Sequence, residues 1–192
     1  MFIHYKNQFP ELSALWDSYE RYQETIEVPA KYILLREGET AKYYYYIRQG
    51  AVRAYLRTNM GEEKTVQFFF ETDGLSSFES FMRAVPSDFY VETLEPTVLT
   101  RLPKEKVLEL FEQLKTSPTF MDTVIYIFSD RQIHYMHEFV SFLRDSPTQR
   151  FENLIQQRPH ILQRVPQHYI ASYLGISSVH LSRIKARLAG KR

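Results

Sequence analysis

Between Thr25 and Leu102 the chain is written in short runs of aromatic and β-branched residues, cut at intervals by turn residues. The runs are Tyr32 to Leu35, Tyr43 to Arg48, Ala51 to Arg57, Lys64 to Glu71, Phe89 to Leu94 and Val98 to Leu102. Between them stand Glu37-Gly38-Glu39, Gln49-Gly50, Asn59-Met60-Gly61 and Asp73-Gly74, each offering a glycine where a tight turn needs positive φ. About six or more strands at this spacing close into a small antiparallel barrel or jelly roll. Strict alternation along such strands has the run Tyr43 to Tyr46 bury two rings and expose two.

On either side the spacing turns helical. Leu12, Leu15, Trp16, Tyr19 and Tyr22 predict one amphipathic helix over 9–22, with Pro10 in its first turn. After Pro103, residues Val107, Leu108, Leu110, Phe111 and Leu114 predict a short helix ending near Ser117. Ser117-Pro118 then reads as the N-cap and first residue of a long helix running to about Arg144. Along it Met121, Ile125, Phe128, Gln132, Tyr135, Phe139 and Phe142 alternate by four and three, the spacing of a coiled-coil seam. A second row, Phe120, Val124, Ile127, Met136, Val140 and Leu143, runs beside it. One row can pack on the chain's own barrel, and the other calls for the same helix of a second copy, so a homodimer is expected. Burial of the helix within a single chain is the alternative. Ser146-Pro147-Thr148-Gln149 has the pattern of a capping box and opens a further helix at a domain boundary. The fold class is therefore α+β, divided into residues 1–117, a long helix over 118–145, and a helical domain over 146–192.

Charge separates the same parts. Residues 148–192 hold eight basic side chains against the single acid Glu152, a net of +7 that leaves −6 for the rest of a chain whose total is +1. A basic module on an acidic body is the asymmetry of a protein that meets a polyanion with one part only. The 192 residues include no cysteine, which excludes disulfide scaffolds, iron–sulfur clusters and cysteine nucleophiles. No run approaches the length of a membrane span and the N-terminus lacks a signal-peptide pattern, so a soluble cytoplasmic protein without membrane partners is expected. The six histidines all lie outside residues 25–102, which removes a metal centre inside the barrel. His134 and His137 stand one helical turn apart, but without a supporting carboxylate set they read as hydrated or stacked helix residues. No nucleophile–base pair or phosphate loop stands out, so no catalytic residue, metal or cofactor is assigned and the chain is not read as an enzyme.

The stretch from Val165 to Leu188 carries the most functional information. Ile170, Ala171 and Leu174 make the inner face of a short helix, Gly175 allows the left-handed turn that ends it, and Ser177 caps a second helix with apolar face Leu181, Ile184 and Leu188. That is a helix-turn-helix. The outer face of its second helix presents Ser178, Val179, Ser182, Arg183, Lys185 and Arg187, with His180 near its inner edge, and these seven are the candidate DNA-binding residues. Early residues of such a helix point at base edges in the major groove, and later basic ones reach phosphates. Arg183 is the candidate for bidentate recognition of guanine. The alternative is a helix-turn-helix that makes protein contacts only, within a ligand-sensing or interaction module.

Taken together, the chain resembles the Crp/Fnr superfamily of bacterial transcription regulators. The resemblance rests on Ile33 to Glu39 followed by Tyr46 to Arg53 in the barrel, and on Ile170 to Ser177 followed by Leu181 to Ile184 in the helix-turn-helix. It implies a cyclic-nucleotide-binding-like β-roll with flanking helices, a long dimerisation helix, and a C-terminal DNA-binding domain. It also implies double-stranded DNA, a second copy of the chain and, as a further candidate, RNA polymerase as partners, with a small-molecule effector of unspecified identity. Many relatives carry a glutamate where Val179 stands, so the usual half-site is not carried over.

In relatives that bind cyclic AMP, a Gly-Glu pair opens a short helix and an Arg-Ser or Arg-Thr pair meets the cyclic phosphate, a task to which helix N-terminal amides and a guanidinium are suited. The corresponding residues here are Gly74, Ser76, Ser77, Phe78 and Glu79, then Ser87, Asp88 and Phe89. No glutamate follows Gly74, and Asp88 or an aromatic stands in place of the arginine. An aspartate repels a phosphate, so this effector pocket is expected to be degenerate and not to take cyclic AMP. Arg83, on the intervening helix, reads as a solvated charge.

Overall fold

The computed structural model describes residues 17–190. Most of the predicted N-terminal helix lies outside them. Within them, Glu20–Tyr22 forms a single 3₁₀ turn, and Tyr19 is buried with its ring 5.6 Å from that of Tyr22.

The β region contains eight strands: β1 (Glu24–Val28), β2 (Ile33–Leu35), β3 (Tyr43–Gln49), β4 (Val52–Arg57), β5 (Glu63–Phe69), β6 (Gly74–Leu75), β7 (Tyr90–Thr93) and β8 (Thr97–Pro103). They form two four-stranded sheets, ordered β1-β8-β3-β6 and β2-β7-β4-β5. The register-resolved pairs are antiparallel. Leu35, Tyr45, Ile47, Val52, Val91 and Leu99 contribute to the apolar cluster that joins the sheets. This is the predicted β-roll.

Three departures from the expected pattern have plain causes. β1 and β6 lie outside the predicted runs: β1 offers only Ile26 and Val28 to the core, beside the acids Glu24 and Glu27, and β6 is only two residues long, so both signatures are too short to read. In the tyrosine run only Tyr45 is buried, and Tyr43, Tyr44 and Tyr46 are half-buried instead of splitting two and two. Tyr43 shares the face of Tyr45, with ring centroids 6.1 Å apart, but stands beside the cavity and is covered in part by Arg101 at 4.5 Å from its centroid, while Tyr44 on the other face also packs against the core. Finally, Arg53 is 1% exposed although it sits in a strand of an acidic body. It lies directly opposite Glu92 in the β4–β7 ladder and donates to Glu92 Oε2 from Nε at 2.8 Å and Nη2 at 2.6 Å. Its guanidinium also stacks 4.0 Å from the centroid of Tyr55.

Gly50 closes the β3–β4 turn at φ +109°, where a Cβ would stand 2.8 Å from the Thr97 backbone. Both backbone freedom and lack of bulk are needed there.

The helices are α1 (Phe78–Arg83), α2 (Lys104–Leu114), α3 (Pro118–Arg144), α4 (Pro147–Gln157), α5 (Ile161–Arg164), α6 (Gln167–Tyr173) and α7 (Ser178–Ala189). α3 starts at the predicted proline, with the Phe120 amide donating to Ser117 Oγ at 3.3 Å. The capping box at α4 is present in both directions, Ser146 accepting from the Gln149 amide and the Gln149 side chain accepting from the Ser146 amide. By contacts the chain separates into two compact units: residues up to Leu56 with Gln67–Tyr126, and Arg57–Val66 with residues from Ile127 onward.

Candidate nucleic-acid interface and effector cavity

In the second unit, α6 and α7 form the helix-turn-helix. Ile170, Ala171, Leu174, Leu181 and Ile184 are buried between them. Gly175 adopts φ +69° and the Ile176 amide returns to the Ala171 carbonyl at 3.0 Å, which satisfies the end of α6. Ser177 Oγ accepts from the His180 amide at 3.2 Å and sets the start of α7. Burying Leu181 and Ile184 fixes the rotation of α7 about its axis. Ser178, Val179, His180, Ser182 and Arg183 consequently share the exposed side, with Val179 62% exposed.

The later basic residues differ from this group. Lys185 is half-buried, and Arg187 donates to the Thr148 hydroxyl at the start of α4. Arg150, which the sequence counts in the basic module, is turned to carbonyls of its own chain: Asp145 at 2.8 Å, Leu174 at 2.9 Å and Phe142 at 3.1 Å. The hairpin tip over 57–66 adds a contact without any local sequence signal. The Thr65 amide donates to Ser172 Oγ at 2.9 Å, and the Ser172 hydroxyl donates to the Glu63 carbonyl at 2.8 Å.

The long helix leaves the first predicted row open. Met121, Ile125, Phe128, Tyr135, Phe139 and Phe142 are all exposed, Phe139 by 58%. The second row behaves in two ways. Phe120 is buried edge-on to Phe111 at 5.4 Å and Ile127 is buried, whereas Met136, Val140 and Leu143 are exposed. The second row is thus buried at Phe120 and Ile127 and open at its C-terminal end. His134 is part-buried, and that burial holds its imidazole below the usual histidine range. The described residues hold no group of three or more His, Asp or Glu suited to a metal ion.

In the roll, Gly74 and Leu75 pair with Tyr46 and Tyr45 as β6. Ser76 Oγ–H donates to the Tyr43 carbonyl at 3.0 Å. Ser77 precedes α1 and accepts from the Ser87 hydroxyl at 2.9 Å, while Ser87 also receives the Phe89 amide at 3.1 Å. Ser87 is buried, but Phe78, Glu79 and Asp88 are exposed, and Phe89 is half-buried. Glu79 holds Arg83 in an exposed ion pair at 3.0 Å. Of the eight candidate pocket residues, only Ser76 and Ser77 line the adjoining cavity of about 440 Å³. Leu35, Leu75 and Val91 supply its apolar wall, and Lys42, Tyr45 and Arg101 its polar one. The Arg101 guanidinium is held by Glu24 at 2.7 Å, and burial pushes the Tyr45 phenol up to about 12, so it stays a proton donor.

A β-roll of antiparallel sheets with flanking helices and a C-terminal helical region is a Crp/Fnr-like fold. Residues 25–114 match the Cyclic nucleotide-binding domain family. The chain is similar to the c-di-GMP responsive global regulator CLP of Xanthomonas campestris, with 16% identity over 93% of this chain and 92% of that one and a TM-score of 0.70. It is similar to FixK2 of Bradyrhizobium japonicum, with 14% identity over 88% and 85% of the two chains and a TM-score of 0.74. Thermus thermophilus catabolite activator protein shares 18% identity over 97% and 86%, with a TM-score of 0.54. None of the curated proteins compared with the chain matches it. Among the described residues no helix is long and apolar enough to cross a membrane.

Proposed function

We propose that the protein is a homodimeric, sequence-specific DNA-binding transcription regulator whose effector pocket does not take cyclic AMP. The observation that carries the reading is the split of α7. Leu181 and Ile184 are buried, while Ser178, Val179, Ser182 and Arg183 stand together in solvent at its capped N-terminal end. Polar side chains at the start of a second helix are placed to reach base edges. Arg183 supplies bidentate donors to guanine, and Val179 offers an apolar contact to a thymine methyl.

In this reading residues 1–117 are the effector domain, 118–145 the dimerisation helix, and 146–192 the DNA-binding domain. The open row from Met121 to Phe142 supports the second copy, because two such helices cover it in each other. A two-fold dimer then presents its recognition helices to successive major grooves about 34 Å apart. Among the residues that the resemblance assigns to the phosphate cassette, Ser77 and Ser87 are bonded to each other and none is a cation, which supports a degenerate cassette. The protein acts in the cytoplasm, with RNA polymerase as a protein partner, and has no catalytic activity of its own.

Selection of binding sites from random duplex DNA, with and without cyclic AMP and repeated with Arg183→Ala, tests the proposal. A palindrome enriched equally in both conditions and lost in the variant is the expected result. Absence of salt-dependent DNA affinity would instead identify a helix-turn-helix that serves protein contacts only.

A further inference from the structure

Four consecutive residues at the end of α6 dock on three different elements of the second unit. Ser172 both donates to and accepts from the hairpin tip, at Glu63 and Thr65. The Tyr173 hydroxyl donates to Glu138 on α3. The Leu174 carbonyl accepts from Arg150 Nη2 on α4 at 2.9 Å. Gly175 lies under the Phe142 ring, which would meet an added Cβ at 2.9 Å.

Arg150 is the centre of this junction. Its Nη1 donates to the Phe142 and Asp145 carbonyls at the end of α3, and its guanidinium lies 4.8 Å from the Phe142 ring centroid. The last carbonyls of a helix lack intrahelical donors and carry the negative end of its dipole. One planar guanidinium therefore joins the C-terminal ends of two helices, a task that a lysine cannot reproduce with a single ammonium.

We infer that Arg150 is a positioning residue: it fixes the angle between α3 and the helix-turn-helix, and so the separation at which paired recognition helices meet DNA. The first half of this inference stands on the chain alone, and the second rests on the DNA-binding function proposed above. It takes Arg150 out of the set of phosphate contacts to which its charge would assign it.

The absence of cysteine makes the angle measurable in the full chain. Spin labels at His137→Cys and Ala186→Cys, both exposed positions on α3 and α7, report one intrachain distance when labelled chains are diluted with unlabelled ones. The expected result is a narrow distribution in the parent that widens roughly twofold in both Arg150→Lys and Arg150→Gln, because neither side chain can hold both helix ends. Equal widths in all three would overturn the inference without any appeal to DNA.

The second measurement uses the selected palindrome with its half-sites moved apart one base pair at a time. The variants should accept spacings the parent rejects, while the slope of log affinity against log salt stays that of the parent. An intact spacing preference with a slope reduced by about two for the dimer would make Arg150 a phosphate contact and overturn its positioning role. If the parent enriches no DNA, the proposed function fails, and the spin-label distances still decide whether Arg150 fixes the angle.

Discussion

Arg53 in the roll and Arg183 on α7 are the same residue under opposite conditions. Arg53 is 1% exposed, fixed to Glu92 by two hydrogen bonds and stacked on Tyr55. Arg183 is exposed and makes no ion pair among the described residues. A guanidinium whose hydrogen-bond capacity is used inside the chain stabilises one conformation and has little left for a ligand. One held in solvent by a helix with its apolar side buried contributes little to folding and remains available to a partner. The aromatic residues follow the same division: Tyr45 joins the core of the roll, whereas Phe139 of α3 is left open.

Removing one partner of the buried pair should break this contrast most sharply. Arg53→Leu leaves Glu92 buried without its counter-ion and is expected to cost about 3–5 kcal/mol in chemical denaturation, while Arg53→Leu with Glu92→Leu recovers most of the loss. Gly50→Ala comes next, at about 3 kcal/mol, because its new methyl meets Thr97 backbone at a positive φ. Gly175→Ala has the same backbone problem but meets a ring, so denaturation should show a smaller loss, about 1–2 kcal/mol. Arg183→Ala should lower affinity for the selected site by about 1–3 kcal/mol per half-site, while leaving the melting transition within about 0.5 kcal/mol of the parent.

The smallest effects are in the pH dependence and carry opposite signs in the two units. Burial raises the folded Tyr45 phenol from 10.0 to about 12, so its contribution is complete below pH 10 and is lost as pH rises towards 12. Tyr45→Phe should flatten that alkaline loss in a melting series. Burial lowers His134 from 6.5, so the unfolded chain takes up its proton first and stability falls as pH drops below about 6.5. His134→Gln should reduce that acid-side slope and leave the alkaline one unchanged.

Features fixed by neighbours in sequence were legible before the structure. Ser146 with Gln149, Ser177 at the start of α7 and Gly175 at the turn are each read from residues within one helical turn. The candidate recognition face is legible for the same reason, since one helical period places both its buried and its exposed residues. Features fixed by distant pairs were not. Arg53 meets Glu92 across 39 positions and Ser172 meets Glu63 across 109, and no periodicity links either pair. The inward role of Arg150 was not legible either, because a charge count includes a guanidinium without saying which way it points. The open second row of α3 beyond Ile127 went unseen for a related reason: an apolar stripe reveals a face that seeks cover, but not where the covering surface stops.

The hairpin tip over 57–66 bears on how such a protein can be recombined. The polypeptide passes between its two compact units three times, near residues 56, 66 and 126, because ten residues of hairpin belong with the helix-turn-helix. A chimera that grafts only the C-terminal segment onto a foreign roll would leave Ser172 facing a loop that did not evolve beside it. Transplanting the helical unit intact requires moving two separate stretches of the gene.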